Sequence, residues 1–246
     1  MFKVRRMNFL NLLSNKAKNL KSEKIPTIAF LGDSVTQGCF ELYLTEDGRV
    51  ETVFDSKHGY HHVLEDILST LYPNVPINYV YAGISGDNAK GGLARLERDV
   101  LRYQPDLTVV SFGLNDSTHG EEGLEVYRDS LRQIFERLRS AGSEIIFMTE
   151  NMMNTSVNYN ELRSPIADIA KNTASVQNSG MLTKYFEVAK QTASECGACI
   201  CDVYSKWQHL HAHGVEVNHL LSNSINHPLR KMHYLFASSL LDTLIG

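Results

Sequence analysis

The stretch Thr27-Ile28-Ala29-Phe30-Leu31-Gly32-Asp33-Ser34-Val35-Thr36-Gln37-Gly38 decides the fold. Its apolar run, Ile28 to Leu31, reads as a buried strand that stops at Gly32. Gly32 tolerates backbone conformations that other residues resist, so the chain can turn sharply off the strand end. Asp33 and Ser34 then stand at the carboxyl end of a strand, where open α/β sheets place their ligands. A serine at the start of a helix-prone segment has backbone N–H groups beside it that bind negative charge. Those are the needs of a nucleophile whose attack creates an oxyanion. Asp and Ser are also common turn and cap residues, so the stretch alone reads equally as a strand end closed by a capping serine.

Outward from this strand the chain alternates. Cys39 to Lys57 is a polar, irregular insertion beside the serine, of a length often used to line a substrate pocket. Tyr60, Val63, Leu64, Ile67, Leu68 and Leu71 recur at helical spacing, and Pro73 closes that helix. Further apolar runs at Ile77 to Tyr81, Leu107 to Phe112, Glu144 to Thr149 and Ala198 to Val203 read as strands. Helical stripes separate them, around Leu93 and Leu96, from Leu124 to Leu138 and from Leu182 to Ala193. Asn151 to Ser179 is polar and reads as a loop with a short helix, and Met232 to Leu240 stripes a last helix. Strands alternating with helices predict an α/β fold, with a five-stranded parallel sheet covered on both faces and right-handed crossovers.

The 246 residues suit one domain, read as 25–246 after a basic lead-in over 1–24 that carries Lys3, Arg5, Arg6, Lys16, Lys18, Lys21 and Lys24. A net charge of −4 argues against nucleic acid as a partner. No apolar run reaches the roughly 18 residues of a membrane span. Asn8 and Asn11 make the lead-in too polar for a secretory core. With no export signal, Cys39, Cys196, Cys199 and Cys201 imply a reduced, cytoplasmic protein. Cys196-Gly197-Ala198-Cys199 has redox spacing, but a helix end at Gly197 and a strand from Ala198 make its cysteines packing residues.

The strands that end near Gly32, Gly83 and Gly113 deliver polar loops to one sheet edge, making Ser34, Gly86 and Asn115 neighbours. The N–H groups of Ser34 and Gly86 and the amide of Asn115 would serve as oxyanion donors. Phosphate cradling is the competing use of the Gly83 to Asn88 loop, but neither a P-loop ending nor a dinucleotide fingerprint is present. A serine needs a base, and of ten histidines His227, followed by Pro228, falls in a loop at the same edge. His209, His211, His213 and His219 cluster, yet lack a carboxylate or cysteine set at metal-ligand spacing.

The blocks Gly32-Asp33-Ser34, Gly83-Ile84-Ser85-Gly86-Asp87, Gly113-Leu114-Asn115-Asp116 and His227-Pro228 resemble, in content and order, those of the SGNH (GDSL) hydrolase superfamily. The resemblance implies a flavodoxin-like α/β/α sandwich that hydrolyses esters or thioesters without a cofactor or metal. By matched position it implies Ser34 as nucleophile, Gly86 and Asn115 as oxyanion donors and His227 as base. Gly91-Gly92-Leu93-Ala94-Arg95-Leu96 is similar to members acting on small acyl groups, including acetylated sugars and lysophospholipids. The expected partner is therefore a small-molecule ester such as an acetylated sugar. Lysophospholipase or thioesterase activity and a non-catalytic carbohydrate-binding relative are the alternatives. One position departs from the family pattern: Ser224 stands where an Asp usually precedes the histidine by three residues. Asp202, near the end of the fifth strand, is the replacement acid to check, against its reading as a cap. The alternative is a dyad whose imidazole is held by a backbone carbonyl and titrates near the ordinary value, about 6.5.

Overall fold

The computed structural model describes residues 7–159 and 162–246. In chain order its elements are α1 (Phe9–Lys18), β1 (Thr27–Gly32), α2 (Ser34–Gln37), β2 (Cys39–Leu44), β3 (Val50–Phe54), α3 (Tyr60–Leu71) and β4 (Asn78–Gly83). There follow α4 (Ala89–Asp99), β5 (Leu107–Ser111), α5 (Leu114–Ser117), α6 (Gly120–Ser140) and β6 (Glu144–Thr149). The chain ends with α7 (Ile166–Asn178), α8 (Met181–Glu195), β7 (Cys199–Asp202), α9 (Val203–Ala212) and α10 (His233–Ile245).

The main sheet is parallel, in the order β4-β1-β5-β6-β7. Counting only its own strands, that order is the flavodoxin-like 2-1-3-4-5, with the topological switch between β1 and β5. Helices α4, α6 and α8 pack side by side, and α10 packs between α1 and α3 in a second group. β1 is buried at every residue, which explains why its apolar run is continuous rather than alternating. Helix α6 shows the opposite pattern. Its stripe of Leu124, Tyr127, Leu131, Ile134, Phe135 and Leu138 is buried, while Glu121 and Glu122 in the first turn and Arg137 and Arg139 in the last complement its dipole.

The expected fold is the observed one, with three local differences. The stretch read as an irregular insertion folds as the antiparallel hairpin β2–β3, joined through Thr45 to Arg49. Its register shifts between Cys39 and Leu42, and this irregularity hides the two-residue alternation. The fifth core strand is shorter than expected, because Asp202 caps α9 and Val203 already belongs to that helix. The polar stretch after β6 holds the full 13-residue helix α7, whose buried face is small and polar, with Ala167, Ala170, Thr173 and Gln177. The lead-in segment contains α1, whose Phe9 and Leu13 join the core and whose first N–H groups at Asn8 and Phe9 donate to Glu144. Met1 to Arg6 lie outside the described residues. No helix among the described residues is long and apolar enough to cross a membrane.

Register brings the strand ends level: Gly32 lies beside both Gly83 and Ser111. Gly32 is not left-handed, contrary to the expectation from the sharp turn. Space is the reason for glycine there, since a Cβ would fall 2.1 Å from Thr36 Oγ1 and 2.7 Å from the Ser111 carbonyl. At Gly83 a Cβ would meet backbone, 2.3 Å from the Gln37 nitrogen. A backbone atom of the serine turn cannot step aside as a side chain can. Gly83→Ala is therefore expected to destabilise the fold by about 1–3 kcal/mol, measured by urea unfolding. A change below about 0.5 kcal/mol, the ordinary scatter for surface substitutions, would show that the turn and β4 are not in tight contact.

Candidate active site

Asp33 caps the single-turn helix α2, its Oδ1 accepting from the Val35 N–H at 2.9 Å. Ser34 follows and is nearly buried, at 3% exposure. Its Oγ lies 3.0 Å from His227 Nε2. His227 arrives on the loop between α9 and α10, pinched shut by a bridge between Leu221 and Pro228. Within that loop Asn223 Oδ1 accepts from the N–H groups of Ile225, Asn226 and His227 at 2.9–3.0 Å. Ser224 takes the left-handed conformation the tight loop requires, with φ at 56°. Asn151 and Asn154 anchor the loop from below, through the carbonyls of Asn226 and Ile225.

His227 Nδ1 lies 2.8 Å from the carbonyl oxygen of Phe40, at the start of β2. A carbonyl only accepts, so Nδ1 carries the proton and Nε2 presents a bare lone pair to the Ser34 hydroxyl. Asp202 is elsewhere. Its carboxylate caps α9 at the Ser205 N–H and accepts from Thr149, the Ser205 hydroxyl and Lys190 at 2.8–3.1 Å. The suggestion that it replaces the missing acid is thereby corrected in favour of the cap. The expected imidazole pKa is also corrected. Burial pushes His227 down to about 4, against the raising effects of the Phe40 hydrogen bond and the Glu41 charge.

The sequence brings Ser34, Gly86 and Asn115 to one edge, and hydrogen bonds tie together the loops that carry them. Asn115 Nδ2 donates to the Asp87 carbonyl at 2.7 Å and to Asp33 Oδ2 at 3.2 Å, linking the loops after β4, β5 and β1. Gly86 has a positive φ of 76° and lies at an exposed turn. Neither the Ser34 N–H nor the Gly86 N–H has an acceptor among the described residues. Arg95, 8% exposed, locks the floor. It pairs with Asp87 at 2.7 Å and donates to the carbonyls of Ala82 and Gly32 at 2.7 and 2.9 Å.

Sequence reasoning missed three contributors. Phe40 acts through its carbonyl, which no side-chain pattern announces. Asn223 works three ways inside a loop that reads as merely polar. Glu150, fully buried at the end of β6, has no charged partner of opposite sign among the described residues. One of its oxygens accepts from the Leu114 N–H at 3.1 Å, while the other, left ionised, is a buried acceptor without a donor. It faces the equally buried Asp33 carboxyl, and both are raised by burial, Glu150 further by the Asp33 charge. Two buried carboxyls this close do not both ionise, so the pair retains a proton, while Asp33 accepts from Val35 and Asn115. Asp116 next to them accepts from the Ala89 N–H at 3.1 Å and is pushed up to about 7 by its burial.

A raised carboxyl stabilises the fold fully below its unfolded pKa and loses that contribution as pH climbs through the folded value. Glu150→Gln keeps an acceptor for Leu114 and removes the titratable proton. It should lose less stability than the parent between pH 5 and 8, measured by urea midpoints. The buried histidines are common to both proteins and cancel in the difference. Parallel pH curves for the two would mean that Glu150 is ionised in the fold.

The sequence pattern of the GDSL-like lipase/acylhydrolase family matches residues 30–235. An acetylxylan esterase of Geobacillus stearothermophilus is 32% identical over 89 residues, 36% of this chain and 39% of that protein. The thioesterase 1/protease 1/lysophospholipase L1 of Escherichia coli is 35% identical over 88 residues, 35% of this chain and 42% of that one. The chain thus matches about two-fifths of the length of these curated relatives. The crystal structure of an acetylxylan esterase from Geobacillus stearothermophilus superposes with a TM-score of 0.65 at 23% identity, covering 89% of this chain and 94% of that one. An α/β hydrolase enzyme from the metagenome of Lake Arreo, Spain, gives 0.66 at 19% identity over the same shares. With that match running through all four sequence blocks, the chain belongs to the GDSL-like lipase/acylhydrolase family.

Proposed function

We propose that this chain is a serine ester hydrolase that removes small acyl groups, acetyl foremost, from carbohydrate or other small-molecule esters. The observation that carries this reading is the continuous relay from Ser34 Oγ to His227 Nε2 and from His227 Nδ1 to the Phe40 carbonyl. In the proposed reaction Ser34 Oγ attacks the acyl carbon while its proton passes to His227 Nε2. The oxyanion accepts from the N–H groups of Ser34 and Gly86 and from Asn115, whose longer 3.2 Å bond to Asp33 is the one released. The imidazolium then protonates the departing alcohol, and the Phe40 carbonyl and nearby Glu41 charge supply part of the stabilisation that a triad acid would give. Water, deprotonated by His227, attacks the acyl-enzyme and frees the acid and Ser34.

Acetyl is favoured because the loops around Ser34 present polar groups, Ser85, Asp87 and Asn115, and because an acetylxylan esterase shares the fold along 94% of its length. Longer acyl chains are the second reading, carried by the 35% identity to the lysophospholipase and thioesterase relative. A reducing, cytoplasmic setting belongs to the proposal as well, on the strength of cysteine usage.

Initial rates on p-nitrophenyl esters from acetate to palmitate, then on acetylated xylo-oligosaccharides, test the reading. kcat/KM should be highest for acetate, and Ser34→Ala should abolish both turnover and fluorophosphonate labelling. A maximum at octanoate or beyond would replace the acetylesterase by the lipase-like alternative, and labelling that survives Ser34→Ala would remove the nucleophile.

The pH profile gives an independent check. The base must be neutral, and His227 is neutral above its lowered pKa of about 4. The acidic limb of kcat/KM for the acetate ester should therefore fall well below the ordinary histidine range. A limb at 6.5, measured over pH 4–9, would show that burial does not lower the imidazole. One well above 6.5 would mean an imidazole stabilised in its charged form by a carboxylate, which would make the carbonyl-held dyad wrong.

A further inference from the structure

The carbonyl that orients His227 belongs to a hairpin outside the main sheet, so something must hold it there. The register of β2 against β3 slips between Cys39 and Leu42, around Phe40 and Glu41. Such a bulge re-aims backbone groups away from the ladder, and it leaves the Phe40 carbonyl to His227. It also removes ladder bonds that would otherwise fix that carbonyl in place.

Arg230, three residues beyond His227, makes good the loss. Its Nη1 and Nη2 grip the two oxygens of Glu41 at 2.5 and 3.0 Å, and its Nε donates to Asp55 Oδ2 at 2.7 Å. Glu41 lies on β2 and Asp55 directly follows β3, so a single guanidinium spans both strands. Its central carbon sits 4.2 Å over the Phe40 ring. The opposite oxygen of Asp55 is held by His58 Nδ1 at 2.8 Å, which orients that carboxylate for Arg230. Both carboxylates are held below their usual range, by their hydrogen bonds to Arg230 first, and so stay charged as pH falls.

We propose that Arg230, with Glu41 and Asp55, is a positioning clamp for the histidine: it binds the hairpin to the histidine's own loop and so keeps the Phe40 carbonyl on His227 Nδ1. The clamp rests on the dyad described above and takes over the orienting role of the acid that Ser224 replaces. These groups are partly exposed, at 33% for Arg230 and 43% for Glu41, and ion pairs of that kind add little to overall stability. Their effect on geometry is different. A displacement of about 1 Å remote from the reacting atoms can cost on the order of 100-fold in rate. The clamp should therefore register in turnover far more than in melting.

The experiment measures kcat, KM and thermal midpoint for Arg230→Met, Arg230→Lys and Glu41→Gln, together with the downfield proton resonance of the His227 Nδ1–H, assigned by its loss in His227→Ala. Arg230→Met should lower kcat at least tenfold with KM within about threefold, and should shift or broaden the resonance while the melting midpoint moves only a few degrees. Arg230→Lys keeps the charge but not the fork, so it should fall between that variant and the parent. A kcat within twofold of the parent with the resonance in place overturns the clamp. A raised KM at unchanged kcat also overturns it, by making Arg230 a substrate-binding residue. Should Arg230→Met not fold, Arg230→Lys and Glu41→Gln decide by the same readouts. Failure of the dyad itself is distinct: His227→Ala would then retain turnover, whereas failure of the clamp leaves His227→Ala inactive and the Arg230 variants active.

Discussion

His227 can accept a proton from Ser34 only while Nε2 is bare, and the Phe40 carbonyl enforces that state because it has no proton to give. The 2.8 Å bond between them sets both the tautomer and the ring plane, and the 3.0 Å approach of Nε2 to Ser34 Oγ follows from it. A carboxylate in the same place would orient the ring and also stabilise its charged form. A carbonyl orients as well but compensates charge only in part, so burial wins and the imidazole stays neutral. In the proposed reaction the base is available at neutral pH and the imidazolium exists only briefly. The hairpin, by supplying the Phe40 carbonyl, belongs to the proposed site as well as to its wall.

Beneath the nucleophile the structure concentrates carboxyl groups where an opposite charge might have been expected. Asp33, Asp116 and Glu150 are almost wholly buried, and Arg95, the nearby guanidinium, is committed to Asp87 and to the carbonyl ends of β1 and β4. Like charges this close cannot all ionise in a poorly screened interior. A proton retained by the Asp33–Glu150 pair resolves the conflict, and Asp33 accepts from Val35 in the serine turn and from Asn115. Ser34's turn, the loops after β4 and β5 and the strand ends therefore share one connected floor.

Asp202 shows how a plausible assignment fails on geometry. It lies at the carboxyl end of β7, and β1 is three strands distant, about 14 Å at the usual spacing. Its oxygens are already taken by Thr149, Ser205 and Lys190. A helix cap and an ion pair satisfy it where it stands, and nothing draws it toward His227.

The sequence by itself determined the sheet, its covering helices and the edge at which Ser34, Gly86, Asn115 and His227 are placed. Apolar periodicity fixes strands and helices locally, and glycine-bearing polar loops mark strand ends whatever their distant surroundings. Ser224 likewise announced the absence of the usual acid from its own position. Only the tertiary structure shows which group stands at His227 Nδ1. The Phe40 carbonyl is a backbone group that every residue but its neighbours' geometry leaves anonymous, and its partner is 187 residues away. The same holds for Arg230, whose grip on Glu41 and Asp55 joins its loop to both strands of the hairpin, and for Glu150, raised by burial beside Asp33. Hydrogen-bond direction, dielectric and charge balance are properties of groups brought together, and a linear pattern records only which groups are available.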